Sequence, residues 1–255
     1  MTLLAVERIK LFTTRSPWWC ALITLVITVG FTALVVGNAD AQFPATVATT
    51  QFAYSFGLAV IMVLAALAVT TEYRFGTIRT TFQAVPHRSS ALLAKTGVVA
   101  LLAFVIGEVS AFGSWGLSLI MQPDFDLKLN SAADWINVAG VGPVYAFAAV
   151  IAIAVGILIR HSAGAISLLL IYTLAVESLV QLIPSIGDDI YKWMPFNAAN
   201  KFLTGDGASN AGRDVAAGAP LSSTPLSPGW ALAYFAGIAL VLLAIALTSA
   251  NKRDA

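Results

Sequence analysis

Few residues in this chain combine a reactive side chain with a setting that could use it. Two acids, Glu108 and Glu177, stand alone in otherwise uncharged apolar runs, where an ionised carboxylate at mid-bilayer costs roughly 2.5–3.5 kcal/mol. Glu108 falls about midway along its run and should face other helices. It reads either as part of a substrate or proton path, or as a neutral acid bonded to a neighbouring helix. Glu177 lies nearer the end of its run and could line the same path or simply reach toward water. The two acids sit on different segments at different depths, so they offer no obvious carboxylate pair for acid–base chemistry. His87 and His161 both fall at segment ends, which leaves no base within the apolar runs. Cys20 is the only cysteine, so neither an intrachain disulfide nor a thiolate metal site can be built. There is no H-E-x-x-H, no nucleophile elbow and no G-x-x-x-x-G-K-[ST] loop. The expectation is a protein with no catalytic, cofactor-binding or metal-binding residues of its own, which cannot hold ATP by the usual loop.

The most polar internal stretch runs from Thr70 to Ser90. Thr77 or Thr80 could cap a short helix ended by Pro86, with Ile78, Phe82 and Val85 as an i, i+4, i+7 apolar stripe between basic residues. Such a helix suits a groove on a soluble partner. A solvated loop that serves topology alone fits the pattern equally.

These residues must be positioned by a membrane-embedded framework. Of 255 residues, 58% are apolar and 11% charged, with a mean hydropathy of +0.84; soluble domains are roughly 45–50% apolar and about 25% charged. Spanning ~30 Å of hydrocarbon takes about 20 residues of helix. Six runs qualify, near Trp18–Gly37, Phe52–Thr71, Thr96–Ile120, Asn137–Ile159, Ser162–Ile183 and Gly229–Ser249. One domain, residues 1–255, is expected. With both termini in the cytoplasm, Arg8, Lys10, Arg15, Arg74, Arg79, Arg88, Lys95, Arg160, Lys252 and Arg253 lie inside, against Lys128, Lys192, Lys201 and Arg213 outside, as the positive-inside tendency asks. Ala39-Asp40-Ala41 resembles a signal-cleavage site, but the preceding run exceeds the ~7–15 residues of a signal core, and Trp18 and Trp19 suit an interfacial anchor. The first helix is expected to be retained. A net charge of +1 offers no surface for nucleic acid.

Outside the spans, residues 2–15 read either as a short helix on the inner surface, with Ala5, Val6, Ile9 and Phe12 on one stripe, blurred by Leu3, Leu4 and Leu11, and Glu7 and Lys10 opposite, or equally as an ordinary basic flank before the first span. Pro17 would mark the bend into the membrane. Between the last two spans, Ser185-Ile-Gly-Asp188 has capping-box spacing before an Ile186, Ile190, Trp193 stripe that Pro195 breaks. A second short helix is expected from Asn197 to Thr204, stopped by Gly205, with Trp193, Met194, Phe196 and Phe202 at the outer interface. The rest, Asp206 to Pro228, reads as a Gly-, Ala-, Ser- and Pro-rich linker. Small residues at Ala148, Ala152 and Gly156, and at Ser110 and Ser114, permit close helix packing, and Gly140, Gly142 and Pro143 could kink the fourth span.

Glu72-Tyr-Arg-Phe-Gly-Thr-Ile-Arg-Thr-Thr, with Pro86-His-Arg88 and Leu92-Leu-Ala-Lys95 after it, closely resembles the permease subunits of type 2 ABC exporters, especially those of actinobacteria. The likeness extends in order over an N-terminal elbow, six spans, this first loop and short helices before the last span. It implies an all-α six-helix membrane domain in the cell membrane, paired with an identical or homologous permease. Two ATP-binding subunits on separate chains, carrying ATP and Mg, would dock from the cytoplasm. The coupling helix of that family maps to the region from Glu72 to Phe82, so the resemblance makes Glu72, Arg74, Gly76, Thr77 and Arg79 the ATPase-coupling contacts. His87 stands where such permeases often carry a second Arg. A drug-like or lipid-like amphipathic cargo is the expectation. A proton-coupled secondary transporter using Glu108 is the alternative, and a membrane scaffold a third reading.

Overall fold

A backbone in hydrocarbon finds no water to bond with, so each long apolar run must close its own i to i−4 hydrogen bonds. The computed structural model describes residues 2–40, 44–85, 87–205 and 222–252. It is 81% helix, with no strand among those residues. The helices in chain order are α1 (Leu3–Thr13), α2 (Ser16–Gly37), α3 (Tyr54–Arg74), α4 (Thr77–Ala84), α5 (Arg88–Met121) and α6 (Ala132–Ala139). Then follow α7 (Val141–Ile159), α8 (Ser162–Ile171), α9 (Glu177–Val180), α10 (Gly187–Tyr191), α11 (Pro195–Thr204) and α12 (Pro228–Lys252). Six stretches are long and apolar enough to cross a membrane: α2, α3 with its 3₁₀ entry at Ala48–Gln51, α5, α7, the run Ser162–Val180, and α12. The chain is a multi-pass membrane protein.

Both described ends of the chain lie at the same end of the bundle. Glu7 of α1 pairs with Lys95 near the start of α5, and Asn251 of α12 hydrogen-bonds Ser89 of α5. This basal end carries Arg8, Lys10, Arg15, Arg74, Arg79, Arg88, Lys95, Arg160 and Lys252, and the distal end Lys128, Lys192 and Lys201. Arg213, Arg253, Pro86 and most of the expected linker lie outside the described residues.

Several elements differ from expectation for local reasons. The third span has 34 residues, about 51 Å at 1.5 Å per residue, because the polar stretch from Arg88 continues the helix below the apolar run. Residues 72–95 are therefore mostly helix: the end of α3, then α4, which is the short helix expected before Pro86, then the base of α5. The fourth span divides at Gly140 into α6 and α7, and α6 opens on a reciprocal capping box between Ser131 and Asp134. A Cβ on Gly140 would meet the Ile136 carbonyl and the side chains of Phe202 and Leu203, so the break is packed tightly. The fifth span contains one π turn, Tyr172–Val176, between α8 and α9. Distally, Ser185 is no cap. It adopts φ 72, and α10 starts after Ile186 without a side-chain cap. The expected helix ending at Gly205 starts at Pro195, and Phe196 is buried against Phe235, not at the interface.

The core centres on α7, which packs on α3, α5, α8 and α12. Its small residues do the close packing: Ala148 and Ala152 are fully buried, and a Cβ on Gly156 would press on Val69 and Thr70 of α3. At the crossing of α5 and α7, a Cβ on Gly107 would stand 2.8 Å from the Cα of Gly142. Backbones that close gain dispersion contact that lipid cannot supply. Tyr145, buried at the centre, donates to the Tyr54 carbonyl at 2.7 Å. Ser110 and Ser118 donate back to carbonyls of their own helix, and Gln51 to the Ala111 carbonyl, so these polar groups are satisfied within the bundle.

Gly107→Val overpacks that crossing and should destabilise the bundle by about 1–3 kcal/mol, the usual range for core overpacking. Gly30→Val, where a new Cβ meets nothing within 4 Å, should be neutral. Thermal unfolding of the two variants in mild detergent, compared with wild type, measures the difference.

Candidate functional site

The densest polar arrangement lies at the basal end. Helix α1 turns Leu4, Ile9 and Phe12 outward, where they are exposed, while Glu7 is only 4% exposed. One turn on, Lys10 follows Glu7 on the inner face, and their side chains pair at 2.8 Å. Glu72 stands in the last turn of α3 and Lys95 near the base of α5. Lys95 Nζ donates to Glu7 Oε2 at 2.5 Å and to Glu72 Oε1 at 2.9 Å. Lys10 Nζ lies 3.5 Å from Glu72 Oε1 and donates to Thr81 Oγ1 of α4 at 3.1 Å. Two acids and two bases thus join α1, α3 and α5, with α4 attached through a hydroxyl. The cluster is neutral as a whole, which is the condition for keeping charges away from water. Glu7, expected opposite the apolar stripe with Lys10, is therefore buried against the bundle, with Lys10 half-buried beside it.

Burial raises the Glu7 carboxyl, but the Lys95 charge and the hydrogen bonds from Lys10 and Lys95 outweigh it and hold the group below its ordinary value of 4.5. For Lys10 burial works downward, and bonding to Glu7 with the Glu72 charge raises it above 10.5. A cavity of about 600 Å³ opens beside the cluster, between α1, α3, α4 and α5. Glu7, Lys10, Glu72 and Lys95 supply its charged wall, with Thr77 and Thr81 among the threonines beside them.

The five residues that the family resemblance singles out separate into two groups here. Glu72 belongs to the ion cluster, and Thr77 to the cavity wall. Arg74, the last residue of α3, Gly76 in the turn and Arg79 in α4 are exposed around Phe75, which is 71% exposed. The Arg74 guanidinium sits 5.5 Å from the Phe75 ring centre. Gly76 follows the Phe75 C-cap of α3 and serves as the α4 N-cap with φ 72, a left-handed conformation that costs other residues about 1–2 kcal/mol. Neither Thr77 nor Thr80 caps α4. Their positions fall inside it, and Thr80 bonds back to the Thr77 carbonyl. Ile78 is buried in the core and Phe82 packs partly against it, so the stripe expected to face a partner holds α4 to its own bundle.

The two intramembrane acids share one role. The Glu108 carboxylate on α5 meets the backbone N–H of Gly142 in the first turn of α7. Glu177 is buried and accepts from the N–H groups of Phe196 at 3.0 Å and Asn197 at 3.1 Å, in the first turn of α11. Each carboxylate thus lies at a helix N-terminus, where unpaired N–H groups and the helix dipole favour negative charge. The structure does not bring the two acids together, nor either of them to the ion cluster, and Glu177 does not reach toward water. Sequence reading missed the cluster partners Glu7, Lys10 and Lys95; the only local signal was a salt-bridge spacing between Glu7 and Lys10. Among the described residues no group of three His, Cys, Asp or Glu side chains could hold a metal ion.

Because the folded Glu7 carboxyl is depressed, its stabilising contribution is present above the unfolded value near 4.5 and falls away as pH drops through the lower folded value. Lys10 contributes below the unfolded value near 10.5, and its share is lost as pH rises through the raised folded value. The unfolding temperature should therefore form a plateau that drops at both extremes, and Glu7→Gln should flatten the acid limb. Lys95→Met leaves two acids with one base, Lys10, in a shielded site and should cost about 3–5 kcal/mol, the usual penalty for breaking a buried pair from one side; unfolding scans across pH test both. Glu177→Ala removes the α11 cap and should cost about 1–2 kcal/mol, with faster amide exchange at Phe196 and Asn197 as the local readout.

No protein-family model matches this chain, and comparison with curated proteins finds no match.

Proposed function

We propose that the chain is the membrane-spanning permease subunit of an ATP-driven exporter of the type 2 ABC kind, coupling a translocation path to separate ATP-binding subunits. The observation that carries this reading is the basal turn, where Arg74, Phe75 and Arg79 are exposed around α4 while Ile78 is buried. An exposed aromatic between two guanidinium groups is the composition of an interface anchor. The same turn is fastened through Thr81 and Lys10 to the cluster that ties α1, α3 and α5. A push on α4 would thereby reach three helices at once, as an element coupling an ATPase to a membrane path must. In this reading α1 is the elbow helix and α4 the coupling helix. The basal end faces the cytoplasm, in keeping with its excess of Lys and Arg.

ATP and Mg bind on the partner subunits, and a second permease, identical or homologous, completes the path for a drug-like or lipid-like amphipathic cargo. The alternative, a proton-coupled transporter using Glu108, draws on the partial exposure of that acid within a span. Against it, the carboxylate already has a fixed partner in the α7 N-terminus.

Copurification in mild detergent with an ATP-binding subunit coexpressed from a neighbouring gene tests the proposal. Wild type should retain the ATPase, and Arg79→Glu with Phe75→Ala should weaken retention about 30-fold or more, the effect of losing a 2 kcal/mol interface anchor, while membrane insertion and unfolding temperature stay near wild type. Failure of wild type to retain any ATPase would overturn the reading. Transport that survives ATP depletion, collapses with the proton gradient and is lost in Glu108→Gln would establish the alternative.

A further inference from the structure

A second cavity, about 510 Å³, lies on the opposite side of α1 from the ion cluster, between that helix and α5. Its wall is Leu4, Ala5 and Phe12 on one side and Gly97, Leu101 and Val105 on the other, with Arg8 on the α1 rim. Leu4, Phe12, Leu101 and Val105 all remain exposed, so the groove opens outward and not into the bundle. Its depth follows from α5. Gly97 to Val105 rises about 12 Å at 1.5 Å per residue, starting just above the base, which matches most of one leaflet's ~15 Å half of the hydrocarbon. Trp18 and Trp19, both exposed on the first turn of α2, belong at the headgroup level. Arg8 makes no ion pair among the described residues, and no carboxylate lines the groove. The bases on the other face of the cluster, Lys10 and Lys95, are already balanced by Glu7 and Glu72.

We propose that the groove between α1 and α5 is a binding site for one anionic phospholipid of the surrounding leaflet. Its acyl chain lies along Gly97, Leu101 and Val105 and its phosphate pairs with Arg8. Charge complementarity chooses this occupant. An apolar helix from a second copy would cover the groove but strand the guanidinium, whereas a phospholipid brings a chain for the apolar wall and an anion for the rim in one molecule. Arginine suits phosphate because its planar fork offers two parallel donors. The proposal requires only that the six helices span a bilayer and is independent of the transport reading.

Native mass spectrometry of the purified chain in neutral detergent, with phosphatidylglycerol or phosphatidylcholine of the same chain length added, tests it. Wild type should retain phosphatidylglycerol about five-fold better, the factor for one Arg near an anionic lipid surface. Arg8→Gln should abolish that preference, while Arg15→Gln, which removes the same charge outside the groove, should keep it. Gly97→Leu, whose first added atom meets Leu4 at 4.0 Å and whose remainder fills the groove, should lower retention of the lipid with its unfolding temperature unchanged in lipid-free detergent. Equal preference in Arg8→Gln and wild type would overturn the proposal. So would full competition by soluble glycerol phosphate, which marks a phosphate pocket without the chain, or a change in oligomeric state in Gly97→Leu, which marks the groove as an interface between copies.

Discussion

Hydrogen bonding of the backbone where water is absent governs this structure more than any single side chain. Long helices meet the requirement by themselves along their length, but every helix start leaves up to four N–H groups without a partner. Where a helix starts at a break beside the bundle, as α7 does after Gly140, something else must accept from them. Glu108 from α5 answers that need at Gly142, and Glu177 answers it at Phe196 and Asn197. Pro195 opens α11 and removes one further donor from the account. Two acids that suggest a pathway when seen alone in apolar runs are, in three dimensions, the acceptors that allow the distal half to contain interrupted helices. Asn137 and Asn197 extend the pattern by donating to the carbonyls of Leu203 and Tyr191.

The basal end solves a different problem. Helix α1 has no spanning run; Leu4, Ile9 and Phe12 point outward, and Leu11 is its large apolar residue packed against the core. The helix is held by charge, through Glu7 and Lys10, to residues of α3 and α5 that lie far away in sequence. Buried ion pairs add little net stability, because desolvation consumes most of the attraction, but they strongly penalise misplacement. The cluster therefore fixes where α1 sits without requiring an apolar face toward the protein, and leaves that face for the bilayer.

The spans were legible because hydropathy is local and the bilayer sets one length for all of them. The break at Gly140 was legible for a related reason, the clustering of Gly140, Gly142 and Pro143. What escaped depended on distance or on backbone detail. The start of α5 was placed late because Lys95 interrupts the apolar run, although the helix continues through it. Ser185 had the right spacing for a cap but takes a left-handed conformation instead. The partnership of Glu7 with Lys95, 88 residues apart, has no periodic trace. The π turn at Tyr172–Val176 has no compositional signature. Of the five residues marked by resemblance, Glu72 alone proved to be inside the charged cluster, because position in a motif does not say which way a side chain turns.

The meeting of Gly107 and Gly142 gives α5 a mechanical character. The two helices touch backbone to backbone at glycines, with the Tyr145 ring and the Glu108 carboxyl group packed against the same point, so the crossing is a natural pivot. Lys95 lies 12 residues below that point, about 18 Å along the helix, so a tilt of 10° about the crossing would carry the base of α5 through about 3 Å. The other arm reaches Met121 over a comparable length and would swing the opposite way. The fifth span, by contrast, is not one uninterrupted α-helix, since it changes to a π turn at Tyr172–Val176. A tilt of α5 about the crossing, imposed at the charged base, would therefore emerge at the other end of that helix with its direction reversed.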